Sequence, residues 1–295
     1  MKAIDLIDAR YSEVEYDIFK FNDGEPHIKI ISEIDHKQEY SIIARIRTTD
    51  DLFIVLQVGD ILERHGVDYK LYLTYLMGMR MDRVMTFNEA FSLKLVTDML
   101  KTIHPKQIYV FEPHSHKTLE LLNAKEFSML EYDNTYSRFI DDIIDNNHVL
   151  KCFPDNGAYK RYKDFISNTN SNYVILDKKR DISNGNIVGM KVSSTFTNPV
   201  NLPYDRIIII DDLCDGGRTF IEAKKLLNEE YPDIPIDIFV KHMVNKNGLN
   251  NLMNNFNHVY ITNSFDNYSR KSLEFDKWDN LKLTIFDSHI PTRYY

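Results

Sequence analysis

Along most of the chain, short apolar runs rich in β-branched residues alternate with longer stretches of helical periodicity. The runs Ser41–Ala44, Leu52–Leu56, Lys70–Leu76, Gln107–Phe111, Val149–Phe153, Tyr173–Leu176, Ile207–Ile210, Ile236–Val240 and Val259–Thr262 read as strands. Val58–Arg64 and Glu89–Leu100 read as helices, the second placing Ala90, Leu93, Val96, Thr97 and Leu100 on one face. Such alternation predicts βαβ units and a mostly parallel sheet in each half. The Asn-rich stretch from Asn245 to Asn257 predicts a polar helix with solvated edges. Charge and Asn content rise over Asp133–Asn147, which predicts a boundary near residue 140 and hence domains 1–140 and 141–295.

The 295-residue length agrees with two domains of ordinary size, and 43% hydrophobic with 27% charged residues is a globular composition. Lys plus Arg is 36 and Asp plus Glu is 44, a net charge of −8, which argues against a broad footprint for nucleic acid. Anionic substrates then require local basic residues or metal ions. Two cysteines, Cys152 and Cys214, build neither a disulfide framework nor a four-cysteine zinc site. With no signal-like start and no apolar run near 18 residues, the expectation is a cytoplasmic protein that does not enter the membrane.

The most informative segment runs from Ile207 through four isoleucines to Asp211-Asp212-Leu213-Cys214-Asp215-Gly216-Gly217-Arg218-Thr219, then into the amphipathic stretch Phe220–Leu227. It reads as a buried strand, a glycine loop and a helix. Paired glycines let backbone N–H groups approach an anion, and a helix start adds a favourable dipole. Two carboxylates beside that cradle repel a bare phosphate, so they suit sugar hydroxyls or a ligand-held metal. A phosphorylated sugar satisfies both features, although a solvated acidic turn before a helix fits the same spacing. The segment resembles the phosphoribosyl-diphosphate binding motif of type I phosphoribosyltransferases and of ribose-phosphate diphosphokinases.

Five further segments resemble the diphosphokinases in particular. Phe21-Asn22-Asp23-Gly24-Glu25 is similar to the family's Phe-x-Asp-Gly-Glu signature, which implies an adenine pocket formed by Phe21, Asp23 and Glu25 and shared with a neighbouring subunit. Arg80-Met81-Asp82-Arg83 resembles Arg-Gln-Asp-Lys/Arg, with Met81 replacing Gln, and implies an ATP site that includes Arg80 and Asp82. The planar guanidinium fork suits phosphate oxygens. In Glu112-Pro113-His114, which stands where the family has Asp-Leu-His, the resemblance places His114 beside the metal-bound nucleotide. Pro154-Asp155-Asn156-Gly157, followed by Arg161, resembles Pro-Asp-x-Gly-x-x-x-Arg and implies that Asp155 positions Mg²⁺. The metal residues so implied are His114 and Asp155. Lys178-Lys179-Arg180 at the end of a strand resembles the catalytic Lys-x-Arg, with Lys178 and Arg180 in the catalytic positions.

Together these matches imply two phosphoribosyltransferase-like α/β domains of type I. They also imply an ATP- and Mg²⁺-dependent homo-oligomer, a dimer or hexamer, which transfers the β,γ-diphosphate of ATP to the 1-hydroxyl of a ribose 5-phosphate unit. Asp211, Asp212, Asp215, Gly216, Gly217, Arg218 and Thr219 would bind that ribose phosphate. The 215–219 loop departs from the family's Asp-Thr-x-Gly-Thr: a hydroxyl is lost at Gly216 and a guanidinium is gained at Arg218. Ribose 5-phosphate is the favoured acceptor. The loop also suits a capped acceptor such as ADP-ribose, whose 1-diphosphate would serve NAD synthesis. Two other classes compete: a silent regulatory homologue, which would be expected to lose catalytic-loop or metal residues, and a phosphoribosyltransferase.

Overall fold

The computed structural model describes residues 1–131, 133–167, 171–180, 187–196, 203–268 and 282–288. The chain forms two units, one built on Met1–Tyr132 and the other on Asp133–Asp287.

The first unit runs through β1 (Lys2–Asp5), β2 (Tyr16–Lys20), β3 (Pro26–Ile30), β4 (Tyr40–Ile46), α1 (Thr49–Arg64), β5 (Tyr69–Leu76), α2 (Ser92–Leu100), β6 (Gln107–Phe111), α3 (His116–Leu122) and β7 (Lys125–Phe127). Five strands make a wholly parallel sheet in the order β1-β4-β5-β6-β7, and β2 and β3 pair as a separate antiparallel ribbon. Every residue of β4 is buried, as expected of an inner parallel strand covered on both faces. The expected strand Leu52–Leu56 is instead part of α1, and the reason is local. Thr48 and Asp51 form a reciprocal capping box, and Leu52, Val55, Val58 and Leu62 recur at helical spacing on the buried face while Phe53 stays exposed. The expected helix Glu89–Leu100 begins only at Ser92, which leaves Ala90 outside it.

The second unit contains α4 (Asn134–Asp145), β8 (Val149–Phe153), α5 (Asn156–Ser167), β9 (Tyr173–Arg180), β10 (Ile187–Phe196), β11 (Arg206–Cys214), α6 (Arg218–Glu230), β12 (Ile236–Met243), α7 (Lys246–Asn255), β13 (Val259–Thr262) and β14 (Leu283–Phe286). Its sheet has the order β10-β9-β8-β11-β12-β13-β14, parallel throughout except where β10 runs antiparallel to β9. The polar segment Asp133–Asn147 is largely the helix α4. It packs Tyr136 and Phe139 edge-on against Phe286 and Phe239 respectively, so it covers the second sheet. The Asn-rich segment is helical as α7, but one face is core: Leu249, Leu252 and Met253 are buried. Among the described residues no helix is long and apolar enough to cross a membrane.

Candidate active site

In the second unit the sheet order sets the carboxyl ends of β9, β8, β11 and β12 side by side, the edge at which open parallel sheets bind ligands. Ile209 of β11 pairs with Cys152 of β8, so Asp211 and Asp212 emerge at the level of Pro154 and Asp155. Arg161 reaches from α5 to hydrogen-bond the Asp212 carboxylate, and its Nη1 lies 3.6 Å from Asp211. The Asp212 side chain is only 2% exposed. Its backbone N–H donates to Asp211 Oδ1 at 2.9 Å. Burial pushes the Asp211 carboxyl well above the usual carboxylate range; the Asp212 charge adds to this and Arg161 opposes it. Arg161 belongs to a motif read from sequence, but no role for it follows from spacing.

A second cation enters from β12. Asp211 pairs with Val240 and Leu213 with His242, which sets Lys241 opposite Asp212. Lys241 is buried, its ammonium lies 4.7 Å from the Tyr162 ring centroid, and burial lowers its pKa to about 7. Sequence reasoning missed it, because a Lys within Ile236–Met243 carries no motif of its own.

After Cys214 the chain turns through Asp215, Gly216 and Gly217 into α6. Gly217 adopts φ +78°, a left-handed conformation natural to glycine, and caps the helix by accepting from Phe220 and Ile221 N–H. Its own N–H faces the Cys214 sulfur. A β-carbon at Gly216 would meet nothing within 4 Å. Arg218 is exposed and Thr219 half-buried at the start of α6. Asp155 lies just before α5 and accepts from Ala158 N–H at 3.0 Å. Lys178 and Arg180 fall on β9, but their side chains lie outside the described residues, as does the following segment 181–186.

In the first unit Phe21, Asp23 and Glu25 occupy the turn of the β2–β3 ribbon. Gly24 N–H donates to the Phe21 carbonyl at 2.9 Å, and Glu25 N–H donates to Asp23 Oδ1 at 3.1 Å. Phe21 is 49% exposed, with its ring centroid 5.3 Å from Phe19 and 5.5 Å from His27. Gln57 of α1 grips the ribbon edge, accepting from Ile28 N–H and donating to the Pro26 carbonyl, both at 2.9 Å. A cavity of about 530 Å³ between ribbon and α1 is lined by Phe19, His27 and Arg64 among others, and contains none of the expected site residues.

Two other expected segments meet in this unit. Asp82, on the loop after β5, accepts from Ser115 and Arg83 with His114 nearby; burial raises its carboxyl pKa, but these partners outweigh that and leave it lowered. Ser115 also caps α3 by accepting from Lys117 N–H at 3.2 Å. Arg80 stands exposed two residues before Asp82. Glu112, where the sequence departs from the family's Asp, has φ +34° and is buried. The Ser128 hydroxyl donates to its carboxylate, and its own N–H donates to the Phe127 carbonyl. This strained residue therefore fixes the path of the chain into Pro113 and His114.

No protein-family profile matches the chain. It is 23% identical over 288 residues to the ribose-phosphate pyrophosphokinase of Sulfolobus acidocaldarius, covering 96% of this chain and 91% of that one. To the enzymes of the same name from Saccharolobus solfataricus and Pyrococcus furiosus it is 26% and 27% identical. Those matches cover 70% of this chain and 69% of the first relative, and 72% of both chains for the second. The fold matches the crystal structure of a phosphoribosylpyrophosphate synthetase from Mycobacterium smegmatis with a TM-score of 0.72 at 17% identity, over 94% of this chain and 87% of that one. This is the two-domain type I phosphoribosyltransferase-like fold. In sequence the chain is thus similar to ribose-phosphate pyrophosphokinases, the diphosphokinases named above, and in fold to a phosphoribosylpyrophosphate synthetase.

Proposed function

We propose that this protein transfers the β,γ-diphosphate of ATP to the anomeric hydroxyl of ribose 5-phosphate. The observation that carries this reading is the end of β11, where the Asp211–Asp212 pair and the Gly216–Gly217 turn stand together at the carboxyl edge of the sheet. Asp211 and Asp212 orient the ribose through its 2- and 3-hydroxyls, while the loop and the start of α6 receive the 5-phosphate. The 1-oxygen attacks the β-phosphorus and gives up its hydroxyl proton to solvent, the bond from that phosphorus to the bridging α,β-oxygen breaks, and AMP departs. Lys178, Arg180 and Arg80 offset charge developing on the transferred group. Phe21, Asp23 and Glu25 serve the adenine of a neighbouring copy, and Asp82 and His114 serve the nucleotide within their own unit.

Mg²⁺ suits this donor set. Among the described residues no group of three or more His, Cys, Asp and Glu side chains gathers as a metal cage. Mg²⁺ commonly takes one or two protein ligands and completes its shell with substrate phosphates and water. Asp155 of the second unit and His114 of the first are each, within its own unit, a residue that would meet such an ion. When bound, it neutralises phosphate oxygens.

A capped acceptor, ADP-ribose, is the second reading, favoured by the open space over Gly216 and the exposed Arg218. AMP release measured with each acceptor tests both readings. A preference above about tenfold in kcat/KM, about 1.4 kcal/mol of transition-state binding, assigns the acceptor. Absence of AMP release with both acceptors overturns the proposal.

A further inference from the structure

Helix α7 lies against the back of the 215–217 loop and touches it at three points. Asn245 caps α7 with its side-chain oxygen, accepting from Asn247 N–H at 2.9 Å, and with its Nδ2 donates to Asp215 Oδ1 at 2.9 Å. One amide therefore ties the start of the helix to the loop. One turn and a half further on, Asn251 Nδ2 donates to the Gly216 carbonyl at 3.0 Å. Between them Gly248 leaves no room for a side chain, because a β-carbon there would fall 1.6 Å from the Asp215 carbonyl oxygen. On the loop side, a β-carbon at Gly217 would come within 3.2 Å of Leu252.

These contacts matter because two consecutive glycines give the loop little stiffness of its own. Its acceptors, the Asp215 carboxylate and the Gly216 carbonyl, would repel a phosphate if they swung toward it. Both are drawn to the α7 side by amide donors. The peptide plane does the rest: with the Asp215 carbonyl held against Gly248, the N–H of Gly216 in the same trans peptide points away from α7. Asn245, Gly248 and Asn251 thus settle which polar groups of the loop an incoming anion meets, without meeting it themselves.

We infer that α7 is a buttress for the phosphate loop, with Asn245 and Asn251 as positioning residues for acceptor binding. This rests on the reading that the loop receives the 5-phosphate. It also accounts for a loop that lacks the family's Thr: stiffness that the loop sequence does not supply comes from the helix behind it.

The test is calorimetric titration of ribose 5-phosphate, and separately of ATP with Mg²⁺, into wild type and two variants. Asn251→Ala removes one donor at an exposed position where Ala favours the helix, so any effect is not a loss of folding. Asn245→Asp keeps the cap but turns the donor into a charge facing Asp215. Ribose 5-phosphate is expected to bind about threefold more weakly to the first and at least about tenfold more weakly to the second, with ATP affinity unchanged, the range for losing a neutral and a charge-assisted hydrogen bond. Melting temperatures near that of wild type accompany this result. Unchanged ribose 5-phosphate affinity in both variants, or equal losses for both ligands, overturns the inference. If wild type itself does not bind ribose 5-phosphate, both this inference and the proposed function fail. Binding by wild type without AMP release fails the function alone.

Discussion

Arg161 and Asp212, 51 residues apart in sequence, form an ion pair at the carboxyl edge of the second sheet, with the carboxylate almost wholly buried and the guanidinium 25% exposed. Removing one partner of a buried pair costs about 3–5 kcal/mol. The water that reaches Arg161 reduces this, so about 2 kcal/mol is expected for Arg161→Ala in urea unfolding. The same change should raise KM for the acceptor more than KM for ATP, because Asp211 and Asp212 lose the guanidinium that lies between them. Equal changes in both constants would mean that Arg161 serves only the fold.

Lys178→Ala is expected to lower kcat by at least about 100-fold with the fold intact, the scale of losing a partner to transition-state charge. Steady-state rates beside a circular-dichroism spectrum check this. Near-normal turnover would remove Lys178 from the catalytic assignment.

The pH dependence of stability should carry the mark of Lys241. Its pKa is lowered to about 7 from the ordinary value of 10.5, so between those values the unfolded chain binds the proton and the folded chain does not. Stability therefore rises with pH across that window, and the cost of burial is felt in full below about pH 7. Lys241→Met should flatten the rise between pH 7 and 10 and raise the melting temperature most at the acid end. Parallel melting curves for the two proteins across that range would contradict the assignment.

If the ribbon turn serves the adenine of another copy, two defective variants should complement each other. Phe21→Ala and Lys178→Ala are each expected to be weak. Co-expressed, they should form some sites that contain both native residues, and activity should exceed the sum of the two parents. Purely additive activity would show that each copy works alone.

How legible the site was depended on whether its parts lie close together in sequence. Four isoleucines ending in Asp211-Asp212 and a glycine turn declare a strand, an acidic edge and a loop within 13 residues. Leu52–Leu56 misled because five consecutive apolar residues satisfy a buried strand and a helix alike, and the deciding cap at Thr48 and Asp51 lies just outside the run. The β2–β3 ribbon is hard to read as strands because its runs, Tyr16–Lys20 and Pro26–Ile30, are only five residues each and β2 is mostly exposed. Arg161 beside Asp212, Lys241 opposite Asp212 and Asn245 on Asp215 arise only from helix docking and the β11–β12 register. Long-range pairing of this kind leaves no periodic trace in a single sequence.

The most direct measurement is to incubate the purified protein with ATP, Mg²⁺ and ribose 5-phosphate, and follow the phosphorus species by ³¹P NMR. The proposal predicts AMP and a sugar 1-diphosphate in equal amounts, with no ADP and no requirement for a nucleobase. ADP as the nucleotide product, or turnover only when a base is added, would contradict it.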